Sequence, residues 1–132
     1  MIASLIASVL AVSSTEFSND PEQHSVWMQQ ACRIQQVGHA GGVPDNHTAF
    51  CACSARAIRA EASAPVYRIS ALGAQGSIQD QAMVDDWAAA RDAAATEAAA
   101  LPPEERARFQ PVLQAALGAC LPHVFQGEQG GK

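Results

Sequence analysis

The chain has 132 residues, a formal charge of −5, seven arginines and a single lysine, Lys132. That length supports one domain with a modest core, and the scattered cations form no basic stripe, which argues against nucleic-acid binding. One Tyr, two Trp and four Phe leave alanine to fill much of the rest; alanine is the best helix former but buries little surface, so a thin-cored helical protein that gains from covalent staples is expected.

Residues 2–12, IASLIASVLAV, are apolar. The run is shorter than the roughly 20 residues needed to span a bilayer but has the length of a signal-peptide core. Small residues at Ala11, Ser13 and Ser14 suit a cut after Ser13 or Ser14. No Lys or Arg precedes it, so only the terminal amine supplies positive charge. An uncleaved segment would tether the protein to a membrane, and an ordinary apolar first helix is a further account. No cysteine directly follows, which argues against a bacterial lipoprotein. Residues 1–14 are thus read as a signal peptide or N-terminal apolar segment, 15–126 as a single helical domain and 127–132 as a flexible tail.

The first helix starts at Asp20, whose carboxylate can cap, with Pro21 at the first position and Glu22 at the positive end of the dipole. Trp27, Ala31 and Ile34 follow helical spacing, and Gly38 is expected to end the helix. GHAGGVPDN reads as loop. A second helix runs from about Thr48 to Ala62, capped by Asn46 or Thr48 and stopped by Pro65. PVYRISALGAQG is ambiguous between an extended piece and a short helical turn; Gly73 and Gly76 make it a connector. SIQD offers a capping box, with Ser77 as cap and Asp80 three residues on. The helix it opens continues to about Ala100, roughly 35 Å at 1.5 Å per residue, with Met83, Trp87, Ala90 and Ala94 as its stripe. Its alanines would let a neighbour approach closely. Pro102 or Pro103 opens the last helix, Glu104 and Arg108 form a favourable i,i+4 pair, and Pro111 should kink or restart it. Phe109, Leu113, Ala116, Leu117 and Cys120 are placed on one side, and Pro122 closes the helix. The fold class is all-α, a small irregular bundle of about four helices stapled by two disulfides.

Cys32, Cys51, Cys53 and Cys120 form an even set, and with an export signal disulfides are the default reading. On a helix, residues 51 and 53 are separated by about 200° of rotation, so their sulfurs point apart and cannot meet. Each must bond a different partner, one to Cys32 and the other to Cys120, which makes the second helix a post stapled on both sides. Cys51 shares its stripe with Ala55 and Ile58, and Cys53 with Ala57 and Ala60. Neither stripe names a partner; both pairings stay open, with the balance leaning to Cys32–Cys53 and Cys51–Cys120.

The same residues carry a rival reading. His24, Met28 and Cys32 are spaced by four, as are His47 and Cys51, and Cys53 lies beside them; soft sulfur with imidazole suits Cu(I), and Cys/His sets suit zinc. His39 could join from the loop. Against this, no two-residue zinc-knuckle spacing is present, and disulfides would consume the thiolates. The bland account puts Met28 in the core and His24 and His47 in first turns, exposed to water. A redox dithiol is disfavoured by one residue between the cysteines rather than two, and haem attachment by the lack of CxxCH. No GxSxG, HExxH, P-loop or dinucleotide fingerprint occurs. Asp85 and Asp86 diverge on a helix, Asp45 with His47 reads as capping, and the sequon at Asn46–Thr48 is explained by a helix cap.

The expectation is a non-enzymatic exported protein, periplasmic or secreted, that acts by contact with another envelope or secreted protein. It uses no cofactor and no inferred small-molecule substrate. Its contact face is the Ala-rich helix, where Met83 and Trp87 are core or interface. The alternative is a periplasmic copper or zinc binder.

Overall fold

The computed structural model describes residues 17–127. Among these, five α-helices and no strand are present: α1 Pro21–Ala40, α2 Thr48–Glu61, α3 Ala64–Ser77, α4 Trp87–Ala100 and α5 Pro103–Ala119. Short 3-10 turns lie at Pro44–His47, Gln79–Gln81 and Leu121–His123. The all-α class and two disulfides are as expected, with one helix more than the four read from the sequence. The apolar segment 1–14 and most of the tail 127–132 lie outside the described residues. No helix among the described residues is long and apolar enough to cross a membrane.

Helix α1 begins as its residues dictate. Asp20 Oδ1 accepts from the Glu22 N–H at 3.0 Å, and Pro21 has no N–H to satisfy. The helix passes through Gly38 and stops instead at Gly41, whose φ of 83° lies in the left-handed region. Gly42 follows with φ 75°. A Cβ there would lie 2.6 Å from Asn46 Oδ1 and 2.7 Å from the Phe125 ring, so the turn needs glycine on both conformational and steric grounds.

The largest departure from the sequence reading is α3. The presumed connector is a full helix and holds the most buried side chains: Ala71, Leu72 and Gln75 have no exposed surface, and Tyr67 and Ile69 are buried with them. Ser63 caps it, accepting from the Val66 N–H, and Pro65 occupies its first turn. Val66, Ile69, Leu72 and Gly76 recur at helical spacing, which outweighs the β-propensity of Val, Tyr and Ile once that face is buried. The two glycines are close-approach points rather than breaks. A Cβ on Gly76 would sit 2.6 Å from Arg91 Cβ and 2.9 Å from its Cα, and one on Gly73 would sit 3.7 Å from Ala94 Cβ. Helix α4 fits there because its buried positions are Ala90 and Ala94.

The expected long helix ending at Ala100 is correspondingly shorter. Ser77 is not its cap; it is the last residue of α3, and its hydroxyl donates back to Ala74 O at 2.7 Å. Residues 78–86 form a bent connector that includes Gln79 with φ 54°, and Asp86 is the actual cap, accepting from the Ala89 N–H at 2.9 Å. Gln75 explains why the chain turns there. Its Nε2 donates to Trp27 O and Gln30 Oε1, at 2.9 and 2.7 Å. Its Oε1 accepts from the Met83 and Val84 N–H groups, at 2.6 and 3.2 Å. One buried amide thus ties α1, α3 and the connector, and all its hydrogen-bonding capacity is used. Met83, expected in the stripe of α4, lies on this connector and is exposed, while Trp87 is half-buried.

Helix α5 continues through Pro111 without a break. Pro111 and Ala107, whose carbonyl loses its partner, both face solvent, where water can replace the lost bond. The buried row is Val112, Ala116 and Cys120, with Phe109 partly covered; Leu113 and Leu117, expected beside them, are exposed.

Neighbouring helices pack in the order α4, α3, α1, α2, α5, with α5 lying chiefly against α2. Arg68 locks one end. Its guanidinium makes two hydrogen bonds to the Glu97 carboxylate of α4, at 2.9 and 3.0 Å, and Nη1 donates to Phe17 O, Ser18 O and Asn19 Oδ1.

Candidate functional site

The cysteines are paired Cys32–Cys51 and Cys53–Cys120, with none free. Cys51 and Cys53 reach different segments, as their rotation on α2 requires. The pairing that the sequence reading leaned toward, Cys32–Cys53 with Cys51–Cys120, is corrected. Cys51 lies on the inner side of α2 with Ser54, Ala55 and Ile58, all buried, and that side meets α1, which carries Cys32. Cys53, half-buried, turns toward the end of α5 and meets the fully buried Cys120. Ile58 is the signal that marked the inner stripe, since it is the largest aliphatic side chain on α2 and belongs in the core. Phe50, Cys51 and Cys120 form a small second core capped by Val124.

The alternative metal set is His24, Met28, Cys32, His47, Cys51 and Cys53. The four-residue spacings do not gather these side chains into one site. Both histidines are buried, 3 % and 1 % exposed, rather than open to water in first turns as read from the sequence. His24 Nε2 lies 2.7 Å from Ser18 O, the carbonyl that also accepts from Arg68. His47 Nε2 lies 2.8 Å from Gly41 O. A carbonyl only accepts, so in both rings Nε2 carries the hydrogen. The His24 ring packs on Trp27 and Tyr67, and His47 meets Phe125 edge-on with centroids 5.2 Å apart. Each histidine clamps the segment before a helix. Among the described residues no three His, Cys, Asp or Glu come together as a metal-binding group.

Two open cavities among the described residues are of similar size. One, about 620 Å³, lies between the N-terminal lead and α3, beside His24, Arg59, Arg68 and Glu97. Its charges already have partners: Arg68 is held by Glu97, and Arg59 Nη1 donates to Glu22 at 2.9 Å, a bond that raises the arginine pKa further. The other, about 600 Å³, is the point where all five helices meet. Met28 and the Cys32–Cys51 disulfide bring α1 to its wall, Phe50, Ser54, Ala55 and Ile58 bring α2, and Ile69 and Gly73 bring α3. Ala94 and Ala95 of α4 and Phe109, Leu113 and Leu117 of α5 complete it. No Asp, Glu, Lys, Arg or His lines it.

Comparison with protein-family models, with curated proteins and with solved structures gives no match to this chain. The cleft is therefore judged on its own chemistry. Its wall is mostly apolar, with Gln35, Gln36, Ser54 and Ser70 as its polar members; its size is that of small-ligand clefts, and it is kept open because α4 and α5 end the row of helices on opposite sides. The outer lip belongs to α5, where Leu113, Leu117 and the following Leu121 are 36 %, 46 % and 63 % exposed. Sequence reasoning placed the contact face on α4 instead. The signal for α5 was present in the four-residue spacing of those leucines, which does not match the row set by Val112 and Ala116.

Proposed function

We propose that this chain is a non-enzymatic exported protein, periplasmic or secreted, that acts by contact with another envelope or secreted protein. The observation that carries this reading is the leucine row of α5. Three large aliphatic side chains at four-residue steps are left in water side by side, whereas the other exposed large apolar residues, Val26, Val43 and Met83, sit singly on separate segments. Contiguous exposed apolar surface of this kind marks interaction sites on soluble proteins. Two disulfides among four cysteines support an oxidising compartment, where such bonds persist. They also bear on the job: the Cys53–Cys120 bond fixes the end of α5 to α2, so the row is presented on a rigid support, which lowers the entropy cost of binding.

The test is site-specific photocrosslinking in the organism that makes the protein. A photoactivatable residue at Leu117 or Leu121 should yield one discrete crosslinked species, and the same residue at Asp92 on the outer side of α4 should not. Absence of any product from the row, or equal products from all three positions, would overturn the proposal.

A further inference from the structure

A smaller cavity, about 420 Å³, lies between Phe17 and Ser18 of the lead, Trp27 of α1, and Met83, Asp85 and Asp86 of the connector. Its walls are fixed from behind. Ser18 O accepts from both His24 and Arg68, and Arg68 also holds Phe17 O. Gln75 Oε1 holds the Met83 and Val84 N–H groups, and Asp86 Oδ1 caps α4. Two features of this wall call for a ligand. Trp27 is 8 % exposed, and its indole N–H makes no hydrogen bond among the described residues. That nitrogen is not sealed: among the described residues, Ser54 Oγ is the buried side-chain polar atom that lacks both a partner and accessible surface. The indole lines the cavity, so an acceptor placed there would satisfy its N–H. The second feature is charge. Asp85 and Asp86 are exposed in the wall, no Lys, Arg or His lines it beside them, and neither aspartate pairs with a cation among the described residues. The Arg68 charge behind the lead is already met by Glu97.

We infer that this cavity binds a small alkylammonium ion of the choline type. Its charge is set against the Phe17 and Trp27 rings and the two carboxylates, and its hydroxyl oxygen accepts from Trp27 Nε1. A quaternary ammonium has no N–H to donate, so it gains from aromatic rings and diffuse negative charge rather than from a particular acceptor. The Met83 thioether adds a polarizable apolar contact for its methyl groups. Anions are selected against, because the wall already carries two negative charges. This goes beyond the protein-contact reading and does not depend on it, since no residue of the leucine row lines the cavity.

The experiment follows the indole N–H signals of the purified oxidised protein by heteronuclear NMR, with Trp87→Phe assigning them. Choline chloride is titrated against sodium chloride at matched ionic strength. The Trp27 signal should move saturably with choline and stay in place with sodium. The neutral analogue in which carbon replaces the nitrogen of choline should bind about tenfold more weakly. Phosphocholine should also bind more weakly than choline, because its phosphate would face the two aspartates; this arm separates the free ion from a lipid headgroup. Asp85→Asn changes an exposed side chain and should leave the fold intact, while choline affinity falls about threefold. Trp27→Phe keeps an aromatic ring and removes the N–H; read from the Val84 amide, affinity should fall about fivefold. A Trp27 signal unmoved by choline, equal binding of the neutral analogue, equal or tighter binding of phosphocholine, or an Asp85→Asn variant with unaltered affinity would each overturn the inference, whatever the crosslinking shows.

Discussion

Replacing Gln75 with methionine tests the internal architecture at its most constrained point. Methionine matches the length and flexibility of glutamine and keeps helix propensity, so the change removes hydrogen bonding while largely preserving volume. Four bonds are lost: two donated to Trp27 O and Gln30 Oε1, and two accepted from Met83 and Val84. They do not weigh equally. Trp27 O lies inside α1 and keeps its helical partner, and Gln30 is half-exposed and can turn to water. The two backbone N–H groups of the connector make no other hydrogen bond among the described residues, and each such loss costs about 1–2 kcal/mol when water reaches the group only in part. The expected destabilisation is about 2–4 kcal/mol, and at roughly 4 °C per kcal/mol for a domain of this size the melting temperature should fall by about 8–16 °C. Urea unfolding of the oxidised protein measures the first quantity, and amide hydrogen exchange localises it, because Met83 and Val84 should lose protection while the middle of α3 keeps it. A variant within about 0.5 kcal/mol of the parent, with those two amides still protected, would refute the reasoning.

Three further outcomes follow from the packing. Gly76→Ala should cost about 1–3 kcal/mol, because the new methyl would meet the Arg91 Cβ and backbone within 3 Å; equilibrium unfolding reads it, and Gly38→Ala, where a Cβ meets nothing, is the control that should be neutral or stabilising. Removing the disulfides as alanine pairs should rank them by loop size. Cys53/Cys120, 67 residues apart, should cost about 4 kcal/mol and Cys32/Cys51, 19 apart, about 3 kcal/mol on the chain-entropy model, with thermal melts as the assay. Arg68→Met should release residues 17–19 and the α4 attachment together, since one guanidinium holds both; limited proteolysis near Phe17 should quicken.

What the sequence disclosed and what it concealed divide along physical lines. Helix α1 was legible because Asp20 and Pro21 are local signals that need no tertiary help. The separation of Cys51 from Cys53 was legible because helical rotation alone decides it. Helix α3 was not, because its Val, Tyr, Ile and Gly residues have weak local helix preference and become helical through burial against α1 and α4. Gln75 gave no signal at all: between two glycines it reads as an exposed side chain, and its donor bonds go to residues 45 and 48 positions away along the chain. The cleft was equally hidden, since five helices contribute to it and none contributes a recognisable motif. The leucine row could have been found by noticing that Leu113, Leu117 and Leu121 fall out of phase with the buried row of α5. The assignment of Cys51 to Cys32 could have been found from Ile58, which fixes the inner stripe of α2.

The staples around α2 hold the cleft and the leucine row in place, so the most direct measurement is a non-reducing peptide map of the protein isolated from the organism that makes it. Two linked peptide pairs are expected, one joining Cys32 to Cys51 and one joining Cys53 to Cys120, with no thiol open to alkylation. Four alkylated cysteines, or a bond between Cys51 and Cys53, would contradict the account.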